Sequence, residues 1–160
     1  MTHRLILAVA ALLAAAAPAA AQEPAIAGRW IIAKAQIAPW ADAKLWADRS
    51  EEKKLLGKAI VFSPKAVTAP APIGCRNPVY SGRDDPPNML FEGGLEGDNA
   101  AGKKMDPAAL ARALGMSTAT VRTVEVGCSE FAFHRFAADT LVFALDNRIY
   151  TMHRDPKAKR

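Results

Sequence analysis

Apolar and polar residues alternate most regularly in the C-terminal third of the chain. Four β-type runs lie there, joined by short segments that favour turns. They read TVRTVEVGC, EFAFHRFA, TLVFALD and RIYTMHR. Short connections join strands that run in opposite directions, so this pattern predicts an up-and-down antiparallel meander.

The N-terminal half contains weaker strand patterns. In GRWIIAKAQI, Trp30 and Ile32 fall on one face of a first strand, and AIVF around Ile60 forms a second. The segment KAVTAPAPIG predicts only a weak third strand, because Pro70 and Pro72 restrict it to a sheet edge or a loop. Together the runs predict a mainly β fold, a single small antiparallel barrel of about eight strands.

Two segments have a helical period. In PWADAKLWADRSEEKKLLG the spacing predicts a short surface helix that ends at Gly57. Further on, Asp106 is placed to cap a second short helix, with Pro107 at its first position and Gly115 at its end. The barrel is therefore expected to carry one or two short helices.

The stretch PIGCRNPVYSGRDDPPNMLFEGG, Pro72 to Gly94, has the densest mixture of residue types. Its prolines exclude a continuous helix, Ser81-Gly82 marks a turn, and NMLFEGG predicts a short apolar strand. We expect a connection whose apolar part serves stability and whose polar part is exposed.

The first residues have the pattern of an export signal. Arg4 is followed by an unbroken apolar run, Leu5 to Ala17, and by small residues before Gln22, where cleavage is expected. The run is shorter than the roughly 20 apolar residues of a membrane span, and no cysteine at the cut offers a lipid attachment point. We therefore expect residues 1–21 to be removed and a soluble chain, neither membrane-spanning nor lipid-anchored, to enter a bacterial periplasm.

The remaining chain has the size of one ordinary domain. We expect a single barrel over residues 22–154 and a disordered basic tail over 155–160, where DPKAKR has no large apolar residue to dock. Loss of Arg4 leaves 20 basic and 16 acidic residues, a net charge of +4. The basic residues are scattered without interleaved aromatic residues, so nucleic acid is not expected as a partner. A monomer is expected.

Two cysteines, Cys75 and Cys128, remain in the exported chain. In an oxidising compartment an even count favours a disulfide, and closing a loop of this length stabilises the fold by about 4 kcal/mol. A reactive thiol and a metal site are the alternatives. Neither cysteine has a second cysteine or a histidine at ligand spacing. His134 and His153 lie within predicted strands. No metal or cofactor is expected.

The Gly28-Arg29-Trp30 triplet at the start of the first strand resembles the opening motif of lipocalins and avidins. In lipocalins that tryptophan packs at the closed end of the barrel beneath an arginine from the last strand. The resemblance implies structural roles for Gly28, Trp30 and Arg154, with Arg148 as the alternative arginine. A cation-π contact between Trp30 and the arginine is the expected geometry.

A second resemblance is to the small META-type envelope proteins. It rests on Phe62, on Gly74-Cys75-Arg76-Asn77, in which Arg76 interrupts a Gly-Cys-Asn triplet, and on Tyr80-Ser81-Gly82. Both resemblances imply a small exported β-barrel.

Catalytic sets can be written down from this sequence, but none has a supporting local motif. Asp84 and Asp85 are adjacent and so point apart in an extended chain. Ser81, His134 and Asp84 could form a hydrolytic set, yet no nucleophile elbow surrounds the serine. No catalytic residue is assigned, and a hydrolytic enzyme that uses Asp84 and His134 stays an alternative.

The sequence instead favours a non-enzymatic binding protein of the envelope. Candidate contact residues are Tyr80, Arg83, Asp84 and Asp85 in the dense stretch, with Trp40 at the barrel mouth. The partner is expected to be a small apolar ligand or an envelope or foreign protein. The alternative is a protein-protein module such as a lysozyme-type hydrolase inhibitor, which needs a filled core, and the many large Phe, Leu and Ile residues favour a filled interior.

Overall fold

The computed structural model describes residues 25–158. The predicted export signal, residues 1–21, lies outside the described residues. Within the described part, no helix has the length and apolar character that crossing a bilayer requires.

Within residues 25–158, nine antiparallel strands form one sheet, which confirms the mainly β prediction. The strands are β1 (Gly28–Ile37), β2 (Ala59–Phe62), β3 (Ala66–Thr68), β4 (Cys75–Arg76), β5 (Tyr80–Asp85), β6 (Val121–Val126), β7 (Ala132–Ala137), β8 (Thr140–Leu145) and β9 (Arg148–Arg154). Their order across the sheet is β4-β3-β2-β1-β9-β8-β7-β6-β5, so the first strand pairs with the last. The four C-terminal runs of the sequence correspond to β6 through β9, as predicted.

The sheet is curled into a half-barrel. Phe62 on β2 and Phe133 on β7 are separated in the sheet by three strands, yet their rings meet edge to face at 4.8 Å. Such a contact requires the two halves of the sheet to face each other. The disulfide between Cys75 on β4 and Cys128 after β6 ties the two ends of the sheet together, and it confirms the predicted pairing.

Two apolar cores lie on opposite faces of the sheet. The interior core lies inside the curl and is built on large side chains that include Trp30, Phe62, Phe133, Phe143 and Tyr150. The outer core lies on the other face of β6 to β9, where residues 87–116 cover the sheet. Alternation along each strand supplies both cores, because successive side chains point to opposite faces.

In the described part of the chain, three short helical segments accompany the sheet. They are α1 (Ser50–Leu55), α2 (Pro107–Ala113) and a 3-10 segment (Pro87–Gly93). The α2 helix begins as predicted, with the Asp106 side chain accepting a hydrogen bond from the Ala109 N–H at 3.0 Å. The helix predicted from Trp40 onward is limited to α1, because residues 39–46 form turns.

Two predictions for the dense stretch were wrong in their local structure. Ser81-Gly82, expected to mark a turn, lies within edge strand β5 (Tyr80–Asp85), whose alternation is hidden because most of its side chains are exposed polar groups. The NMLFEGG run is not a strand. It forms 3-10 turns in which Phe91 and Glu92 have positive φ values of 52° and 57°. Leu90 and Phe91 are buried there, whereas Met89 is half exposed.

The Trp30 contact predicted from the lipocalin resemblance is present. The Arg154 guanidinium carbon lies 4.3 Å from the centroid of the buried Trp30 ring, and Nη1 of Arg154 donates to the Ala27 carbonyl at 2.9 Å. A side chain at Gly28 would begin 2.9 Å from that Nη1, and Gly28 has a φ of +110°. Glycine is therefore required for this close approach.

Arg148, the alternative arginine, lies elsewhere. It is buried beside Glu52, with Nε 3.4 Å from the carboxylate, and it donates to the Trp46 carbonyl at 3.0 Å. It fastens the α1 region to β9. At the other end of β9, Asp155 forms an ion pair with Arg29 at 2.9 Å.

Candidate functional site

The predicted contact residues of the dense stretch lie along β5, the edge strand of the sheet. Tyr80 begins the strand, and its hydroxyl donates to the Ser63 carbonyl at 2.8 Å. Burial raises the pKa of the Tyr80 phenol. Tyr80 therefore spans from β5 to the turn after β2 and helps to hold the two ends of the curled sheet together.

Arg83 is held within an ion network. Its Nε lies 2.9 Å from Asp85, and its Nη1 pairs with Glu125 on β6. Asp85 is almost fully buried, and its Oδ2 has no hydrogen-bond partner among the described residues. Arg83 thus neutralises a buried carboxylate, and Asp85 does not present its charge at the surface.

Asp84 points to the other face of the sheet. Its register partner is Arg122, which lies 3.6 Å away with both side chains substantially exposed. A pair this exposed contributes little to stability. Of the four predicted contact residues in β5, Asp84 is the most accessible.

Trp40 lies away from β5, above the outer core. Its ring is 5.8 Å from that of Phe91, and its Nε1 donates to the Asn147 side chain at 3.0 Å. It also packs against Gly94, where a Cβ would begin 3.1 Å from the indole. Trp40 therefore packs the segment after β1 onto the outer core.

The structure does not bring Asp84 and His134 together. Asp84 pairs in register with Arg122, whereas His134 pairs with the next residue, Thr123. Successive residues of a strand point to opposite faces, so the two side chains lie on opposite faces of the sheet.

The imidazole of His134 is buried and bonded at both nitrogens. Nε2 accepts from the backbone N–H of Phe91 at 3.1 Å, and Nδ1 lies 2.8 Å from the Thr123 hydroxyl. Because Nε2 accepts, the proton of the neutral ring is on Nδ1. Burial lowers the pKa of His134 to about 4, although the nearby Asp85 carboxylate acts in the opposite direction. This is the environment of a neutral structural histidine.

Metal binding finds no support in the described part of the chain. Within residues 25–158, no three His, Cys, Asp or Glu side chains are grouped closely enough to hold an ion.

A groove opens where β7 and β8 stop pairing. The pair nearest to the groove is His134 of β7 with Val142 of β8. Beyond it, among the described residues, neither the start of β7 nor the end of β8 has a register partner in the other strand. There, Ala132 of β7 still pairs with β6, and Ala144 of β8 still pairs with β9. The two halves of the sheet separate, and a groove of about 570 Å³ lies between these strand ends.

The groove combines an apolar floor with an acidic rim. The small side chains of Ala132 and Ala144 leave the space open. The groove-lining residues are Phe91, Glu92, Glu130, Phe131, Ala132, His134, Ala144, Leu145 and Asp146.

The acidic rim consists of three carboxylates, Glu92, Glu130 and Asp146, and no lysine or arginine lines the groove. Within the described residues, none of these three takes part in an ion pair. The ion pairs involve other acidic residues, such as Glu125 and Asp155. A protein with a net positive charge thus carries a locally negative groove.

Sequence reasoning missed this groove. Its residues come from three separate segments, and the end of the β7–β8 register has no local signature. One signal was available. Ala132 and Ala144 are small residues beside the large Phe133, Phe143 and Leu145, Glu130 lies two residues before β7, and Asp146 directly follows β8. No protein-family model, curated protein or solved structure matches this chain.

Proposed function

We propose that this chain is a non-enzymatic binding protein of the cell envelope, and that it holds a protein partner at its surface. The observation that carries the proposal is the filled interior of the curled sheet. A lipocalin-like carrier of small ligands needs interior space, whereas a protein-binding module does not.

The interior core is occupied by aromatic rings in direct contact. Phe133 and Phe143 have ring centroids 5.4 Å apart, and Phe143 stacks on Tyr150 at 5.1 Å. These separations are those of packed aromatic pairs. Trp30 closes one end of the same core beneath Arg154. An apolar ligand inside the curl would have to displace these rings.

The envelope location is supported by the export pattern at the N-terminus and by the disulfide. Bonds such as Cys75–Cys128 persist in oxidising compartments. The non-enzymatic part of the proposal is supported by the separation of Asp84 from His134, and by the internal hydrogen bonds of both His134 nitrogens. An inhibitor of an exported hydrolase is one form of such a function, since it needs a filled core and an ordered surface.

A fatty-acid titration tests the proposal against the carrier alternative. Palmitate is added to the oxidised protein, and intrinsic tryptophan fluorescence is recorded. We expect no saturable change. The variant Phe133→Ala, which opens a cavity of about the size of benzene in the interior core, is titrated with benzene as the control for an interior able to take a ligand. Stoichiometric, saturable binding of palmitate by the unaltered protein would refute the proposal and favour a carrier.

A further inference from the structure

We propose that the groove between β7 and β8 binds an extended, basic segment of a partner protein. This inference rests on the proposed function and names the chemistry of the partner. It follows from three features of one place in the fold: strand ends without a pairing partner, an apolar floor, and an acidic rim without basic neighbours.

The strand ends supply the main-chain recognition. Past His134 and Val142, the facing edges of β7 and β8 have no register partner in the described part of the sheet. Buried backbone N–H and C=O groups are nearly always hydrogen-bonded, and an extended peptide beside a free strand edge satisfies them by strand addition. A segment in the groove would gain such bonds from the main chain of Ala132 and Ala144, since the neighbouring residues Phe133, Phe143 and Leu145 bond to β6 or β9.

The floor and rim supply the side-chain recognition. Ala132 and Ala144 line the groove together with Phe91 and Phe131. Alternate side chains of an extended peptide point to opposite sides, so apolar ones can face this floor while the others face the rim. Glu92, Glu130 and Asp146 there favour lysine or arginine.

The charge distribution favours a basic partner over an acidic or a neutral one. The chain carries an excess of basic residues, yet the three rim carboxylates form no ion pair with any of them in the described structure. A segment that carries Lys or Arg gains attraction to all three, and an acidic segment is repelled.

One wall of the groove is fixed by the His134 contact. Phe91 and Glu92 have left-handed backbone conformations, which non-glycine residues adopt only when their surroundings impose them. The hydrogen bond from Phe91 N–H to His134 is part of that constraint, and it keeps Glu92 at the rim. The groove is therefore preformed, which lowers the entropic cost of binding.

The described part of this chain's own basic tail does not reach the groove. Asp146 lies just before the start of β9, and the turn that begins at Asp155 follows its end. The length of β9 therefore separates the two by roughly 20 Å. Asp155 is also held there by Arg29. The tail of a second copy of the chain is another occupant, and sedimentation distinguishes it from a partner protein.

The probe is a capped octapeptide of alternating lysine and leucine, labelled with a fluorophore and followed by anisotropy at low salt. The control peptide has glutamate in place of lysine. We expect saturable binding of the lysine peptide only, at one peptide per chain. The variant Glu92→Gln/Glu130→Gln/Asp146→Asn should weaken this binding about tenfold. The matched variant Glu51→Gln/Glu96→Gln/Asp98→Asn removes three exposed carboxylates elsewhere and should bind as the unaltered protein does.

A second variant tests the floor without a change of charge. Ala144→Leu fills the groove and should abolish binding of the lysine peptide, while the melting temperature shows whether the fold is retained. If Ala144→Leu does not fold, Ala132→Val provides the smaller change in the same floor.

Three results would overturn the inference. The first is no binding of the lysine peptide, or binding that the groove variants leave unchanged. The second is equal displacement of the peptide by dodecylamine, which would mean that a free amphiphilic amine suffices. The third is self-association in sedimentation that the triple groove variant abolishes, which would assign the groove to a second copy. Each of them leaves the palmitate titration, and with it the proposed function, unaffected.

Discussion

Nε2 of His134 accepts a hydrogen bond at 3.1 Å from the backbone N–H of Phe91, which has a left-handed conformation. This bond joins the centre of β7 to the segment that covers the outer core. Since a protonated imidazole cannot accept at Nε2, the bond exists only while His134 is neutral. The fold therefore depends on the titration of one buried side chain.

We predict that stability falls as the pH decreases through the range set by His134. The folded pKa of about 4 lies below the unfolded value of 6.5. The contribution is therefore fully present above pH 6.5 and is lost progressively down to pH 4. Between pH 7 and pH 5, where most carboxylates stay ionised, the loss should be about 2 kcal/mol. Urea unfolding at the two pH values measures it.

The control for this prediction is His153→Gln, since His153 is exposed. That variant should keep the full pH dependence, whereas His134→Gln should lose most of it. An equal pH dependence in both variants would show that other groups are responsible.

Arg83 is predicted to serve stability. Arg83→Ala leaves the buried Asp85 carboxylate without its ion-pair partner, which should cost about 1–3 kcal/mol of unfolding free energy. The matched control is Arg122→Ala. Its partner Asp84 is exposed, so the change should stay within about 0.5 kcal/mol. Chemical denaturation of both variants measures the difference, and equal effects would argue against a structural role for the Arg83–Asp85 pair.

Trp30 is predicted to be a major contributor to the interior core. It is fully buried, its Nε1 donates to the Ile26 carbonyl at 2.8 Å, and Arg154 covers its ring. Trp30→Ala should destabilise the protein by about 3–5 kcal/mol. Trp46, which is 36% exposed, provides the comparison, and Trp46→Ala should cost far less. Thermal unfolding measures the stability of both variants. Equal stability of the two would contradict the packing of Trp30 in the interior core.

The disulfide is predicted to stabilise the curled sheet by closing it across its two ends. Cys75 and Cys128 are separated by 53 residues, and opening a loop of that size should cost about 4 kcal/mol. Urea unfolding with and without dithiothreitol measures this. The variant Cys75→Ser/Cys128→Ser should be insensitive to the reductant and as unstable as the reduced protein. A reductant effect that persists in this variant would exclude the disulfide as its cause.

Local sequence patterns predicted the parts of the fold that neighbouring residues determine. Strands β6 to β9 follow from regular alternation, α2 follows from Asp106 and Pro107, and the disulfide follows from an even cysteine count in a chain whose first residues predict export. Each of these rests on neighbouring residues or on simple counting.

The parts that were missed depend on contacts between distant segments. Tyr80–Asp85 did not indicate a strand because an edge strand with polar side chains on both faces lacks the usual alternation. Phe91 and Glu92 have turn conformations that their side chains do not predict, since the His134 contact imposes them. The groove depends on where the β7–β8 register ends, which is a property of the curled sheet as a whole.

Amide hydrogen exchange with and without the lysine-leucine peptide shows which strands the peptide pairs with. The amides of Ala132 and Ala144, which point away from β6 and β9 into the groove, should exchange rapidly in the free protein and slow markedly when the peptide adds a strand. Amides of β5, an outer strand of the sheet, should be unchanged. Slowed exchange along Tyr80–Asp85, with none at the β7 and β8 ends, would contradict peptide binding in the groove and place the binding surface on the edge strand.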